Sequence, residues 1–156
     1  MLVGKKTVLE RPKKEHLDKL LEWRNNPEFR QYYREYREIS IEQQTKYWEE
    51  KMLGDDSIEY FVIKPTNENI IIGVVGLTYI HRIYRTAEFA ITVGHGEYRG
   101  GGYGSDALRT VIKYGFEQLN LNRIWCEVYS NNKAIDVYRH IGFKDEGILR
   151  QTVFKN

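Results

Sequence analysis

The sequence predicts an α/β fold, an α+β mixed sheet with antiparallel strands first and helices on both faces. Three observations predict it. The apolar runs "EYFVIKP" and "NIIIGVVGLTYI" flank a polar Thr66, Asn67, Glu68, Asn69 turn and read as a hairpin. The stretch "VGHGEYRGGGYGSDAL" carries six glycines immediately before a helical pattern. Behind it, Ala107, Leu108, Val111, Ile112, Gly115 and Phe116 recur at three- and four-residue spacing, followed by a strand and a shorter helix, a β-α-β second half.

In order along the chain, "TVLER" alternates and precedes Pro12, which makes it a short first strand. Leu17, Leu20, Leu21 and Trp23 mark a helix over residues 14–23, ending before Asn25, Asn26 and Pro27. Residues 28–40, "EFRQYYREYREIS", are irregular, polar and aromatic, and Ser40 with Gln43 three residues on opens a second helix as a capping box. "TAEFAITVG" is a strand beside the hairpin. After the glycines the helix buries one face and exposes Arg109, Lys113 and Glu117. "NRIWCEVYS" reads as a strand, "NNKAIDVYRHIG" as a short helix stopped by Gly142, and "FKDEGILRQTVF" as a final strand.

The chain has 156 residues, with 24 basic against 22 acidic, a net charge of +2. That balance argues against nucleic acid as a partner, so any anion site must be local. No apolar run nears the roughly 20 residues that span a bilayer, and charge comes too early for a signal peptide; no membrane partner is expected, and the chain is expected to be cytoplasmic. The single cysteine, Cys126, excludes an internal disulfide and reads as a buried strand thiol. His16, His81, His95 and His140 form no i,i+4 pair, so no metal site is expected.

Glycines ahead of a helix permit positive φ and a close approach of ligand to backbone, at unpaired amides that favour phosphate. The alternative is a plain surface turn. The Walker A pattern fails, since no Gly-Lys-Ser/Thr occurs. The Rossmann pattern G-x-G-x-x-G/A is met by Gly102, Gly104 and Ala107, with Glu127 near the expected acid. Arg99, Gly102 and Gly104 meet a third pattern, Q/R-x-x-G-x-G/A, and Asn131, Ala134, Tyr138, Gly142 and Phe143 meet N-x-x-A-x-x-x-Y-x-x-x-G-F downstream. In these two motifs, and in "AEFAITV" upstream, the chain resembles the GNAT superfamily of N-acetyltransferases, on the RimJ/RimL-type branch that includes spermidine and ribosomal-protein acetyltransferases.

The resemblance implies a GNAT fold, with antiparallel N-terminal strands and a splay between the family's parallel fourth and fifth strands. It implies acetyl-CoA as cosubstrate, its pyrophosphate held at Arg99, Gly100, Gly101, Gly102, Tyr103, Gly104 and Ser105. Its pantetheine arm would pair with the strand at Ile91, Thr92 and Val93 and with Asn131, for which a helix N-cap role is the alternative. An alkylamine has a pKa near 10, so freeing it at pH 7 costs about 4–5 kcal/mol and calls for a base or a water chain. Glu88 is the candidate base, with a carboxylate paired to a nearby arginine as the alternative. Tyr138 would donate to the departing thiolate, with core packing as its alternative. Trp23, Arg24, Tyr32 and Tyr33 fall where the family borders its acceptor groove, or else form a lid packed on the helices.

Two departures from the family stand out. Gly101 replaces what is often a longer residue, and the chain ends at Asn156 where the family continues into one more strand. Residues 1–156 are therefore expected to form one acetyltransferase domain lacking that last strand. The expected activity is acetyl transfer to a primary amine by direct attack in a ternary complex. Expected acceptors are a small-molecule amine (polyamine or amino sugar) or a protein N-terminus, and a homodimer is the expected assembly. A dinucleotide-binding redox domain and a non-catalytic acyl-CoA sensor are the alternatives.

Overall fold

A computed structural model describes residues 1–153. Its six-stranded sheet runs in chain order: β1 (Leu2–Val3), β2 (Thr7–Glu10), β3 (Glu59–Pro65), β4 (Gly73–His81), β5 (Thr86–Val93) and β6 (Arg123–Trp125). Every neighbouring pair is antiparallel except β5 with β6, which is parallel. A Rossmann domain needs a parallel sheet around its glycine loop. With one parallel pair among the described residues, this topology does not supply it.

Strand alternation sorts side chains between two faces. Phe61, Ile63, Val75, Leu77, Ala87 and Phe89 point one way and pack with Ala107, Leu108 and Val111 of α4 (Tyr103–Glu117) into the main core. Val62 points the other way and meets Leu20 and Trp23 of α1 (Leu17–Asn25), with Ile71 and Val74 alongside. Helices thus cover both faces, as the sequence predicts.

Several element boundaries differ from expectation. The first helix begins as a 3₁₀ turn (Lys14–His16) and continues to Asn25; the Asn26 side chain then accepts from Glu28 N and starts α2 (Pro27–Arg30). The capping box at Ser40 forms in full and opens α3 (Ile41–Tyr47), which runs into a π-helical turn at Trp48–Met52. β1 was not legible, being two residues long. "NRIWCEVYS" is strand only at Arg123–Trp125, because β5 offers it no ladder partner beyond Glu88. The last helix, α5, is Ala134–Ile141.

The final strand expected from "FKDEGILRQTVF" does not form over residues 143–153, and Phe154 lies outside the described residues. Its reason lies in β6. With Cys126 and the described residues after it outside any ladder, the returning segment has no edge in register to join. Ion pairs hold it instead, Arg123 to Glu146 and Arg139 to Asp145 at 2.7 Å, and Ile148 and Leu149 stay exposed.

Candidate active site

The site begins where β5 and β6 part. Their pairing covers Thr86 to Glu88, while β5 runs on to Val93 along β4. Among the described residues, 89–93 therefore present an edge with no strand partner, and chain direction carries that edge straight into the glycine loop. A short 3₁₀ turn at Gly96–Tyr98 leads in, Gly100 and Gly102 adopt φ of +75° and +82°, and Gly102 caps α4 from the left-handed region. Only glycine takes that conformation without strain.

Asp106 N donates to Gly102 O, closing the helix's first turn. Among the described residues no hydrogen bond engages the amides of Gly100, Gly101, Gly102, Tyr103, Gly104 or Ser105. These unpaired donors at the positive end of a 15-residue helix make an anion site by backbone alone. Gly104 sits so close to β5 that a Cβ there would lie 3.1 Å from Val93 Cγ2.

Arg99 is placed differently from expectation. Its guanidinium lies over the Phe29 ring, 4.3 Å from the centroid, and donates to Glu28 at 2.5 Å. Its Nε donates to Val93 O at 3.1 Å and its Nη2 to Gly94 O at 3.4 Å. The fork that could have gripped phosphate straps the loop's approach to α2. A second cation stands nearer the loop. Lys6 Nζ donates to Gly101 O at 2.9 Å. The turn bearing Lys6 is fixed by Asp106, whose carboxylate accepts the amides of Lys5, Lys6 and Thr7 and the Thr7 hydroxyl at 2.7–3.0 Å. The sequence marks Asp106 only as an acid in a helix's first turn and gives no sign of Lys6.

On the core face, α5 brings Tyr138 against the open edge of β5. Its ring meets Phe89 edge-on at 4.9 Å, and its hydroxyl makes no hydrogen bond among the described residues. Burial, then the neighbouring Cys126, pushes the phenol up to about 12. Burial, followed by Glu88 and Glu127, lifts the Cys126 thiol to about 11, so it stays protonated and poorly nucleophilic at neutral pH. Asn131 is exposed ahead of α5 and does not cap it; the N-cap is Lys133, and Asn132 Oδ1 accepts from Ala134 N at 2.9 Å.

On the opposite face, Glu88 and Thr92 point toward the segment after α2. Glu88 is 5% exposed and takes a bidentate fork from Arg34, at 2.9 Å and 2.7 Å. Arg34 also reaches Glu127 at 3.4 Å, and these hydrogen-bonded carboxylates raise its already high pKa. The Tyr33 hydroxyl and Thr92 Oγ1 lie 2.8 Å apart, and Tyr129 donates to Tyr33 O at 3.5 Å. Burial raises the Tyr33 phenol. Tyr33 and Arg34 together bridge β5 and the chain just past β6 on the side away from Tyr138.

The other acceptor-side residues divide. Tyr32 is partly exposed beside this bridge. Arg24 stacks on Tyr47, 4.9 Å from its centroid. Trp23 is 3% exposed and lies under Gly94, where a Cβ would overlap its ring. Trp23 is thus a core residue, buried because the α1 stripe that suggested a helix also includes it. Arg34 was not singled out by sequence, where nothing ranks it above Arg24 or Arg30 in the same segment.

Residues 6–144 match the family model described as acetyltransferase (GNAT) domain. The chain is 37% identical over 108 residues to the spermidine N(1)-acetyltransferase of Escherichia coli (strain K12), covering 69% of this chain and 56% of that protein. It thus matches little more than half the length of that relative. It is 26% identical over 135 residues to the acetyltransferase PseH of Campylobacter jejuni, covering 85% of this chain and 80% of that one. Among solved structures it is similar to the spermidine N-acetyltransferase of Vibrio cholerae in complex with CoA and spermine. That match has a TM-score of 0.88 and 28% identity over 98% of this chain and 89% of the other. A matching model over most of the chain, the parallel splay and the glycine loop at its mouth agree: the chain belongs to the GNAT acetyltransferase family.

Proposed function

We propose that the chain is an acetyl-CoA-dependent N-acetyltransferase that moves an acetyl group to a primary amine by direct attack in a ternary complex. The observation that carries this reading is the open edge of β5 running from Phe89 into six unpaired amides. An extended arm with two amides and a pyrophosphate fits that edge and loop. Acetyl-CoA supplies the activated thioester. Gly100 to Ser105 would hold its pyrophosphate, Ile91 and Thr92 the arm, and Asn131 the arm's far side. Val93 O is already taken by Arg99, which leaves Arg99 as a brace of the loop.

Tyr138 would donate to sulfur as charge builds there. At a pKa near 12 it keeps its proton over the whole working range, so it acts as a hydrogen-bond donor. Both Glu88 oxygens are engaged by Arg34, so Glu88 can serve as base only once Arg34 has moved; a water chain is the other route for the proton. A polyamine is the favoured acceptor, supported by the spermidine enzymes among the relatives and by the carboxylates Glu88 and Glu127 on the acceptor side. A cytoplasmic setting goes with this reading.

The test is Tyr138→Phe with acetyl-CoA and spermidine, following thiol release. We expect kcat to fall by about 10²-fold with acetyl-CoA affinity within about twofold of wild type. An unchanged kcat would reduce Tyr138 to packing. Tight acetyl-CoA binding with no turnover of any amine by wild type would leave the sensor reading in place.

A further inference from the structure

Glu88 is an almost fully buried carboxylate whose charge is met by a guanidinium from a segment without regular structure. Arg34 is itself about half exposed, at 54%, and it contacts a second carboxylate, Glu127, which is 56% exposed. The arrangement is a cation seated between two anions at the point where β5 and β6 separate. It belongs to no helix and is covered by no core. Arg34 lies four residues past the end of α2, and the segment is tied down beside it through Tyr33 to Thr92. Such a side chain can leave Glu88 without unfolding an element, provided another cation takes its place. A buried carboxylate left unpaired is costly, so the exchange is coupled: the arriving cation and the departing guanidinium share one site.

We propose that Arg34 is a specificity-determining residue that occupies the seat of an acceptor ammonium between Glu88 and Glu127. This rests on the acetyltransferase reading for what the bound amine becomes, though not for the binding itself. With Arg34 in place the three groups sum to one negative charge, so a monoamine gains little there. A polyamine, carrying several ammonium groups, can displace Arg34 with one while presenting another amine to the open edge. Arg34 thereby sets the threshold of positive charge that an acceptor must carry, and its removal lowers that threshold.

The experiment is calorimetric binding of spermidine, without acetyl-CoA, to wild type, Arg34→Gln and Arg34→Lys, with thermal melts to establish that each is folded. We expect Arg34→Gln to bind spermidine about tenfold tighter, the weight of one unit charge at close range in a half-exposed setting, and Arg34→Lys to stay near wild type. Equal or weaker binding by Arg34→Gln would overturn the proposal, because a merely structural arginine loses affinity when removed. Should Arg34→Gln not fold, Glu127→Gln serves, since Glu127 is exposed. Weaker spermidine binding there supports the shared seat, and unchanged binding overturns it. A parallel acetyl-CoA titration of wild type separates the two ideas. If acetyl-CoA does not bind, the acetyltransferase reading fails, and the spermidine series still decides the role of Arg34.

Discussion

The carboxylate of Asp106 gathers four donors from a turn 99 to 101 residues upstream and so joins the β1–β2 hairpin to the first turn of α4. Burial by itself would raise its pKa, but those amides and the Thr7 hydroxyl outweigh it and hold the group below its ordinary 3.8. A carboxyl lowered on folding contributes stability at pH values above its unfolded pKa, and the contribution is lost as pH falls through the folded one. We expect Asp106→Ala to cost about 2–3 kcal/mol at pH 7 by leaving three backbone donors unmet. In denaturant melts, the gap between wild type and Asp106→Asn should shrink as pH drops below about 4. A gap independent of pH would mean that the charge contributes nothing. Local sequence could show Asp106 as a helix-start acid, but its partners become visible only when the chain is folded. Arg34 was hidden for the same reason, whereas Glu88 and Tyr138 were singled out because each sits in a stretch that resembles the family.

At the scale of elements, the glycine loop and α4 act as one unit. Gly102 holds a φ of +82° at the helix cap, where an L side chain costs about 1–2 kcal/mol. Relief of that strain would shift the backbone of the loop and its unpaired amides. We expect Gly102→Ala to raise the KM for acetyl-CoA by about tenfold with a small loss of stability. Gly96→Ala, at ordinary φ and in open space, serves as the matched control and should change neither. Equal effects of the two would remove the conformational argument. β3 was legible to the residue and β5 to within one residue, because flanking turns bound them on both sides. β6 and the expected last strand were not, because "NRIWCEVYS" and "FKDEGILRQTVF" have strand composition but no ladder partner. Composition reports only a tendency to pair, and pairing requires an edge.

Across the whole molecule, the sheet separates two kinds of chemistry. The α4 face holds the core, Tyr138 and the protonated Cys126, and the α1 face holds Glu88, Arg34 and the tyrosines. The open edge of β5 is where the two meet, which is what a ternary complex of thioester and amine requires. The two covered faces and, through resemblance to a family, the parallel splay were legible in sequence, as was the order of elements from β2 to α5 apart from the short α2. The charge pairing across the splay was not, since it joins residues 34, 88 and 127 through the fold alone. Among the described residues no helix is long and apolar enough to cross a membrane.

We propose that the glycine loop and the open edge of β5 hold acetyl-CoA. The most direct test is a thermal melt of the full chain titrated with acetyl-CoA and, in parallel, with NAD(H). Ligand at 100 times its dissociation constant stabilises by about 2.7 kcal/mol. For a chain of this size that is a rise of roughly 5–10 °C in Tm. We expect that rise with acetyl-CoA and none with NAD(H). A rise with NAD(H) alone, or none with acetyl-CoA at millimolar concentration, would contradict it.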